Sequence, residues 1–482
     1  KGWRYGIEGK GSHGAGHPLC SDGFHAAVAP LNERLGRELP RCDPKAQRCG
    51  GGEKAAILEE CFWEAIGVVR EALLADRETV DFLAGRLREA RERLDRHARR
   101  PRPGAPRIEA VYEAVVGAGS RTPAPLRLEP GSVTTLRAEL GKVLNHLNRQ
   151  SGGALIAAAA DLLASTSVNL AAGGFPAGYF NARTNPGARL LASGGICEDA
   201  MAGILSGLSA FGRHMGVGSS YGAFLAALGH IAARLHAIGN QARRGGDGAP
   251  YRPFVLVCAH AGLKTGEDGP THADPQPLQL LQENFPPGTM ITLTPWDPQE
   301  IWHLVAAALA LRPAIVAPFV TRPGERVIDR EALGLAPPQA AARGVYRLRR
   351  AAGKRDGAVV LQGSGVTYAF VEGALPLLET EGIDFDVYYI ASAELFDALP
   401  EEERSRIFPE AVARRAIGIT GFTLPTMYRW IRSDRGRALT LHPFRRGHYL
   451  GSGPAEQVLV EAGLDGESQF RAIRSWVREG AT

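Results

Sequence analysis

The chain is poor in cysteine, with six among 482 residues. That is too few for a disulfide scaffold, and the expected setting is reduced and cytoplasmic. Cys42, Cys49 and Cys61 fall closest together, but their spacing matches no standard zinc pattern. No uncharged apolar run is long enough to span a bilayer, and no secretory leader is evident, so a membrane partner is not expected. Neither sign of charge is in large excess: the net charge is +5, from scattered Arg and one cluster near residues 86–107. That balance suits anionic small substrates and gives little support for nucleic-acid binding. A hydrophobic fraction of 44% and a charged fraction of 22% are those of an ordinary globular protein. The length accommodates about two to four domains.

Glycine, histidine and acid are concentrated in Gly262–His272, GLKTGEDGPTH, directly after the apolar run Phe254–Cys258. A buried strand that opens into such a loop is how an α/β sheet presents chemistry at the carboxyl ends of its strands. Glu267, Asp268 and His272 are the polar groups it delivers.

The chain starts at Lys1 in a glycine-rich loop carrying His13, His17 and His25. This does not read as a native amino terminus, so the expectation is a further segment upstream or a partner chain. Apolar residues at three- and four-residue steps from Glu53 to Arg99 read as helices, and the prolines of Arg99–Pro130 read as an extended crossing. From Gly131 a new domain begins, with Ser132 as the candidate cap of a helix through Leu136, Leu140, Val143 and Leu147. Strands are expected at Ala154–Ala160, Phe254–Cys258, Met290–Leu293 and Ala314–Phe319. Helices are expected at Ala200–Leu208 and Tyr221–Ile238, and a glycine turn at Gly212–Ser220. A second unit begins near Val345, with strands at Gly357–Leu361 and Phe385–Ile390. The expected fold class is α/β: two doubly wound, mostly parallel sheets, the second mixed, preceded by a loop and a helical linker. Gly363-Ser364-Gly365 at a strand-to-helix turn can cradle a phosphate or simply make a tight turn.

Four stretches together resemble the thiamine-diphosphate-dependent transketolase family: KGW…GHPL, ADLLAS with ICEDAM, GEDGPTH, and ASAELFDALPEEER. The resemblance implies the tail of a diphosphate-binding domain at 1–40 and a linker at 41–130. It implies a pyrimidine-binding domain at 131–325 and a carboxyl-terminal domain at 341–482. It implies transfer of a two-carbon ketol unit from a phosphorylated ketose to an aldose, with thiamine diphosphate and Mg²⁺.

Glu198 stands where the family's glutamate meets the cofactor's aminopyrimidine and promotes loss of the thiazolium proton; an apolar wall of Ile196, Met201 and Ile204 is expected around it. The bland alternative is an acid favoured by a helix amino end. His272 and His17 resemble the proton-transferring histidines, with His13 as a second candidate for the amino-terminal position. Asp161, Tyr221 and Phe224 resemble cofactor contacts. Asp268 resembles a substrate-hydroxyl contact, and His260, Arg322, Ser165 and Arg137 a phosphate clamp.

The pattern departs from the family in three ways. Few aromatics face the pyrimidine, GRHMGVGSSYGAFL is closer to phosphoketolase, and no Gly-Asp-Gly followed by Asn holds the metal and diphosphate. Gly246-Asp247-Gly248 lacks that Asn. The chain is therefore expected to bind half of the cofactor, with a diphosphate-binding domain or subunit as partner in a homodimer or heterotetramer. A phosphoketolase, a 2-oxoacid decarboxylating component and a non-catalytic binding subunit are the alternatives.

Overall fold

The computed structural model describes residues 17, 21–41, 53–97, 103–160, 162–264, 269–272, 274–353 and 356–480. They divide into two compact units, at Pro103 and Gly104. The first unit is helical. Asp22–Leu35 is capped by Ser21 and ends at Gly36 in the left-handed region. Glu53–Ala75 and Arg77–His97 follow, and Arg37 meets Glu71 at 2.7 Å. Cys61 is buried with its Sγ 3.5 Å from the Pro40 carbonyl; Cys42 and Cys49 lie outside the described residues.

Among the described residues the second unit holds eleven strands. Val133–Thr134 (β1) and Glu325–Arg326 (β7) form a small antiparallel pair. Between them run Leu155–Ala159 (β2), Met215–Tyr221 (β3), Phe254–Ala259 (β4), Met290–Leu293 (β5) and Ile315–Val320 (β6). These five form an all-parallel sheet in the order β2-β3-β4-β6-β5. Every residue of the five is buried, as parallel sheets with helices on both faces require. Val345–Arg349 (β8), Gly357–Gln362 (β9), Phe385–Ile390 (β10) and Ala416–Thr420 (β11) form the second sheet, ordered β11-β9-β10-β8 with β8 antiparallel. The expected pair of α/β sheets, the second mixed, is therefore present.

The helix Leu136–Gln150 buries Leu136, Leu140, Val143, Leu144 and Leu147 on one stripe against the first sheet. Thr135, not Ser132, caps it by accepting from the Ala138 amide. Ser132 instead donates to the Glu129 carbonyl, because the chain reaches helical geometry only after pairing β1 with β7. Asn148, fully buried, accepts from Leu155 N and donates to Leu155 O and Ala171 O, so it fixes where β2 begins.

Two other expectations change. Gly212–Ser220 is not a turn: from Met215 it is the buried strand β3. A Cβ on Gly216 would strike the Leu205 backbone, and one on Gly218 would lie 3.2 Å from Leu205 Cδ1. Glycine is there because the helix Glu198–Phe211 lies directly on the strand. The following helix accordingly starts later, at Leu225, after a short turn Gly222–Phe224, and runs to Asp247. The Pro-rich stretch 99–130 is not wholly extended either. Glu109–Ala118 is a helix that buries Val111, Tyr112 and Val115.

That helix packs on Ile301–Ala310, where His303 meets Thr122 Oγ1 at 3.0 Å. Burial, reinforced by Arg330, lowers the His303 pKa from 6.5 to about 4. A pKa below the unfolded value gives stability present above pH 6.5 and lost as pH falls toward 4. Urea midpoints of the whole protein are expected to fall across that window, and His303→Gln to flatten the fall; an unchanged slope would show that His303 is not responsible.

Candidate active site

The register of the first sheet assembles the site. Tyr221 at the end of β3 pairs with Ala259 at the end of β4, which in turn pairs with Val320 at the end of β6. The residues just beyond these ends must therefore converge. His260 follows β4 and is fully buried, with a positive φ of 56°, an uncommon backbone state that clusters at functional sites. Its ring stacks on Tyr221 with centroids 3.7 Å apart. Phe224 lies nearly parallel to Tyr221 at 6.4 Å, and His272 meets both rings edge-on, at 5.7 Å and 5.3 Å. Two histidines and two aromatics thus form one ring cluster, with Phe224 the exposed member.

Glu198 opens the helix Glu198–Phe211 and accepts a hydrogen bond from Ser220 Oγ at 3.2 Å. Its carboxylate is thereby held beside the residue that precedes Tyr221. The surroundings differ from the expected apolar wall. Met201 is buried, but Ile196 is 72% and Ile204 48% exposed. The helix begins above the strand ends, at the surface, so only its inward face is covered.

The groups expected to grip phosphate also gather. Arg137 donates from Nη1 to the Ser165 carbonyl, and the same nitrogen lies 3.3 Å from His260 Nε2. The Arg137 amide donates to Thr321 O, which places half-buried Arg322 one residue away. His260, expected in the phosphate clamp, is fully buried and stacked on Tyr221, while Arg137, Ser165 and Arg322 keep partial exposure.

Asp161, Asp268 and His13 lie outside the described residues. His17 falls in the first unit. Gly246-Asp247-Gly248 ends a helix: Asp247 Oδ1 accepts from Ala249 N, and Gly248 adopts the left-handed C-cap. ELFDALPEE is a tether between the sheets. Glu394 is half-buried, accepts from the Glu283 and Thr292 amides and from Thr292 Oγ1, and desolvation pushes its carboxyl up.

Ser220, Lys264 and Asp274 escaped the reading of the sequence. Asp274 is half-buried, burial raises its carboxyl, and its carbonyl faces Gly222. A Ser-Tyr pair ending a strand was the available signal for Ser220.

An acid, two packed aromatics and a histidine at the ends of parallel strands define an α/β ligand-binding domain of the doubly wound kind. Residues 133–322 match the family model described as the transketolase pyrimidine-binding domain. Among curated relatives, the transketolase of Aquifex aeolicus is 29% identical over 308 residues, covering 64% of this chain and 41% of the relative. Transketolase 2 of Xanthobacter flavus is 30% identical over 176 residues, 34% of this chain and 23% of the relative. The solved transketolase of Leishmania mexicana superposes with a TM-score of 0.63 at 19% identity, covering 95% of this chain and 59% of that one. A Pichia stipitis transketolase solved with sedoheptulose 7-phosphate gives 0.61 at 19% identity, over 94% and 59%. Residues 133–322 are therefore similar to transketolase pyrimidine-binding domains, and the chain is similar to the carboxyl-terminal portion of transketolases. It spans less than half the length of the curated relatives it matches.

Proposed function

We propose that this chain is the pyrimidine-binding and carboxyl-terminal part of a transketolase that moves a two-carbon ketol unit from a phosphorylated ketose to an aldose. Residues 131–325 and 341–482 are its two domains, and 1–40 with the linker 41–130 lead into them. The reading rests above all on the Glu198 carboxylate, held by Ser220 next to the Tyr221, Phe224 and His272 rings. A carboxylate edge beside a flat aromatic face fits an aminopyrimidine, which offers ring nitrogens in its plane and a π-face above it. Thiamine diphosphate, when bound, supplies the nucleophilic carbon that carries the two-carbon unit.

The chain's own residues then divide the work. Glu198 would hydrogen-bond a ring nitrogen and favour the tautomer that carries a proton there. Tyr221 and Phe224 pack against the ring face and exclude water, and the family resemblance makes Asp161 a further cofactor contact. His272 moves a proton at the substrate carbonyl oxygen, a role the family resemblance extends to His17 or His13. Asp268 accepts from a substrate hydroxyl. Arg137, Arg322 and Ser165 hold the phosphate dianion by charge-assisted hydrogen bonds, oriented by His260. Mg²⁺ and the diphosphate fall to a diphosphate-binding domain or subunit, so the working form is a dimer or heterotetramer. Among the described residues no helix is long and apolar enough to cross a membrane, and a cytoplasmic setting fits sugar-phosphate substrates.

Combining the full chain with its candidate diphosphate-binding part, thiamine diphosphate and Mg²⁺ is expected to give an aldose lengthened by two carbons. Acetyl phosphate as product would indicate phosphoketolase chemistry instead. Absence of turnover with every ketose donor would make the chain a binding subunit and overturn the proposal.

A further inference from the structure

Lys264 and Gly269, which flank residues 265–268 on the way from β4 to His272, both meet the carboxyl-terminal domain. Lys264 Nζ lies 2.5 Å from Glu325 Oε2, with the two side chains 12% and 2% exposed. The same ammonium sits 4.6 Å from the centroid of the Tyr368 ring. Ser364, in the Gly363-Ser364-Gly365 turn, places its Oγ 3.3 Å from the other Glu325 oxygen and 2.9 Å from the Trp296 carbonyl. A Cβ on Gly365 would stand 3.1 Å from Lys264 Cβ. The glycines of that turn thus admit Lys264, and its serine belongs to the ion pair rather than to a phosphate. Farther along, a Cβ on Gly269 would collide with the Ser452 hydroxyl, and Gly269 has a positive φ of 68°. The carboxyl-terminal domain therefore meets the segment at two points before His272.

A buried ammonium has few geometries that satisfy it, and a misplaced one leaves two uncompensated charges. An exposed lysine would tolerate many positions; this one tolerates few. We infer that Lys264, held by Glu325, which Ser364 in turn contacts, is a positioning residue that sets where His272 stands against the Tyr221 and Phe224 rings. The inference rests on the proposed role of His272 as the proton-transferring group, and it gives the carboxyl-terminal domain a part in the reaction.

The test uses the full chain with its diphosphate-binding part and the variants Lys264→Met, Glu325→Gln and Lys264→Arg. Amide exchange is followed at residues 269–276 and, as a control, in β4 and β6. Both Lys264→Met and Glu325→Gln are expected to speed exchange at 269–276 by about tenfold with the strands unchanged. Both are expected to lower kcat by about tenfold or more while thiamine diphosphate affinity stays within about threefold. Lys264→Arg should recover most of the kcat. The isosteric Glu325→Gln keeps the test valid if Lys264→Met does not fold. Unchanged exchange at 269–276 overturns the inference whether or not the enzyme turns over. Faster exchange with an unchanged kcat overturns it too. Faster exchange in a protein whose wild type carries out no ketol transfer supports the positioning and contradicts the functional reading alone.

Discussion

Replacing Glu198 with glutamine is expected to lower ketol transfer by the complete enzyme by about 10²- to 10⁴-fold, the range in which a positioned acid or base contributes. The glutamine retains the shape and the oxygen that accepts from Ser220 Oγ, so the helix start and the neighbouring rings stay in place. What disappears is the carboxylate charge that favours the pyrimidine tautomer protonated at its ring nitrogen. The same substitution separates this role from the simpler one. If Glu198 served only to complement the amino end of its helix, its loss would cost about 0.3–1 kcal/mol of stability and leave the rate alone. Steady-state kcat and thermal midpoint, measured on the same preparation, decide between them: a large drop in kcat with a small change in midpoint supports the catalytic role, and the reverse removes it.

Arg330→Met is expected to destabilise the protein by about 3–5 kcal/mol, the cost of stripping the partner from buried charges. Arg330 is 4% exposed, and it bridges Asp297 and Glu300, both fully buried, at 2.8 Å each. Trp296 donates to Tyr346 Oη at 2.9 Å, and Tyr346 in turn donates to Glu300. The guanidinium also lies 4.7 Å over the Trp296 ring. This cluster joins the end of β5 in the first sheet to β8 in the second, so its loss loosens the seam on which the Lys264 contact depends. Burial already pushes the Glu300 carboxyl up despite Arg330. Without Arg330 it rises further, so the penalty should shrink as pH falls and the acids take up protons. Urea unfolding at pH 8 and pH 5 measures both features. Adding Asp297→Asn and Glu300→Gln to Arg330→Met should recover most of the loss, because it removes the stranded charges; a single variant as stable as the wild type would contradict the account.

Glu325 shows the same competition in milder form. Burial lifts its carboxyl from 4.5 to about 7 even though Lys264 and Ser364 oppose the shift. Its contribution to stability is therefore full below pH 4.5 and declines as pH rises toward 7. Glu325→Gln has a stability effect of its own, so positioning must be read from exchange and kcat rather than from unfolding alone.

The sequence showed most clearly what is local. Met290–Leu293 and Phe385–Ile390 are found where their mostly apolar runs place them, since a strand buried on both faces reads as a near-continuous hydrophobic run. β3 was hidden because its small residues answer to Leu205 on a helix packed across it, a contact that local pattern does not carry. The helix Glu109–Ala118 was hidden by flanking prolines, although Val111 and Val115 are one turn apart and both buried.

The candidate site divides along the same line. Glu198, Tyr221, His272 and Arg137 sit in recognisable motifs. Ser220 beside Glu198, His260 stacked on Tyr221, and Lys264 against Glu325 depend on which strand ends lie side by side. The order β2-β3-β4-β6-β5 is set by the whole sheet, so these pairings emerge only once the sheet is assembled.

Calorimetric titration of thiamine diphosphate with Mg²⁺ into the full chain combined with its diphosphate-binding part tests the central claim most directly. Saturable binding by the combination, weakened when Tyr221 is replaced by alanine and absent from either component alone, is the expected result. No binding by the combination under any condition that preserves the fold would contradict it.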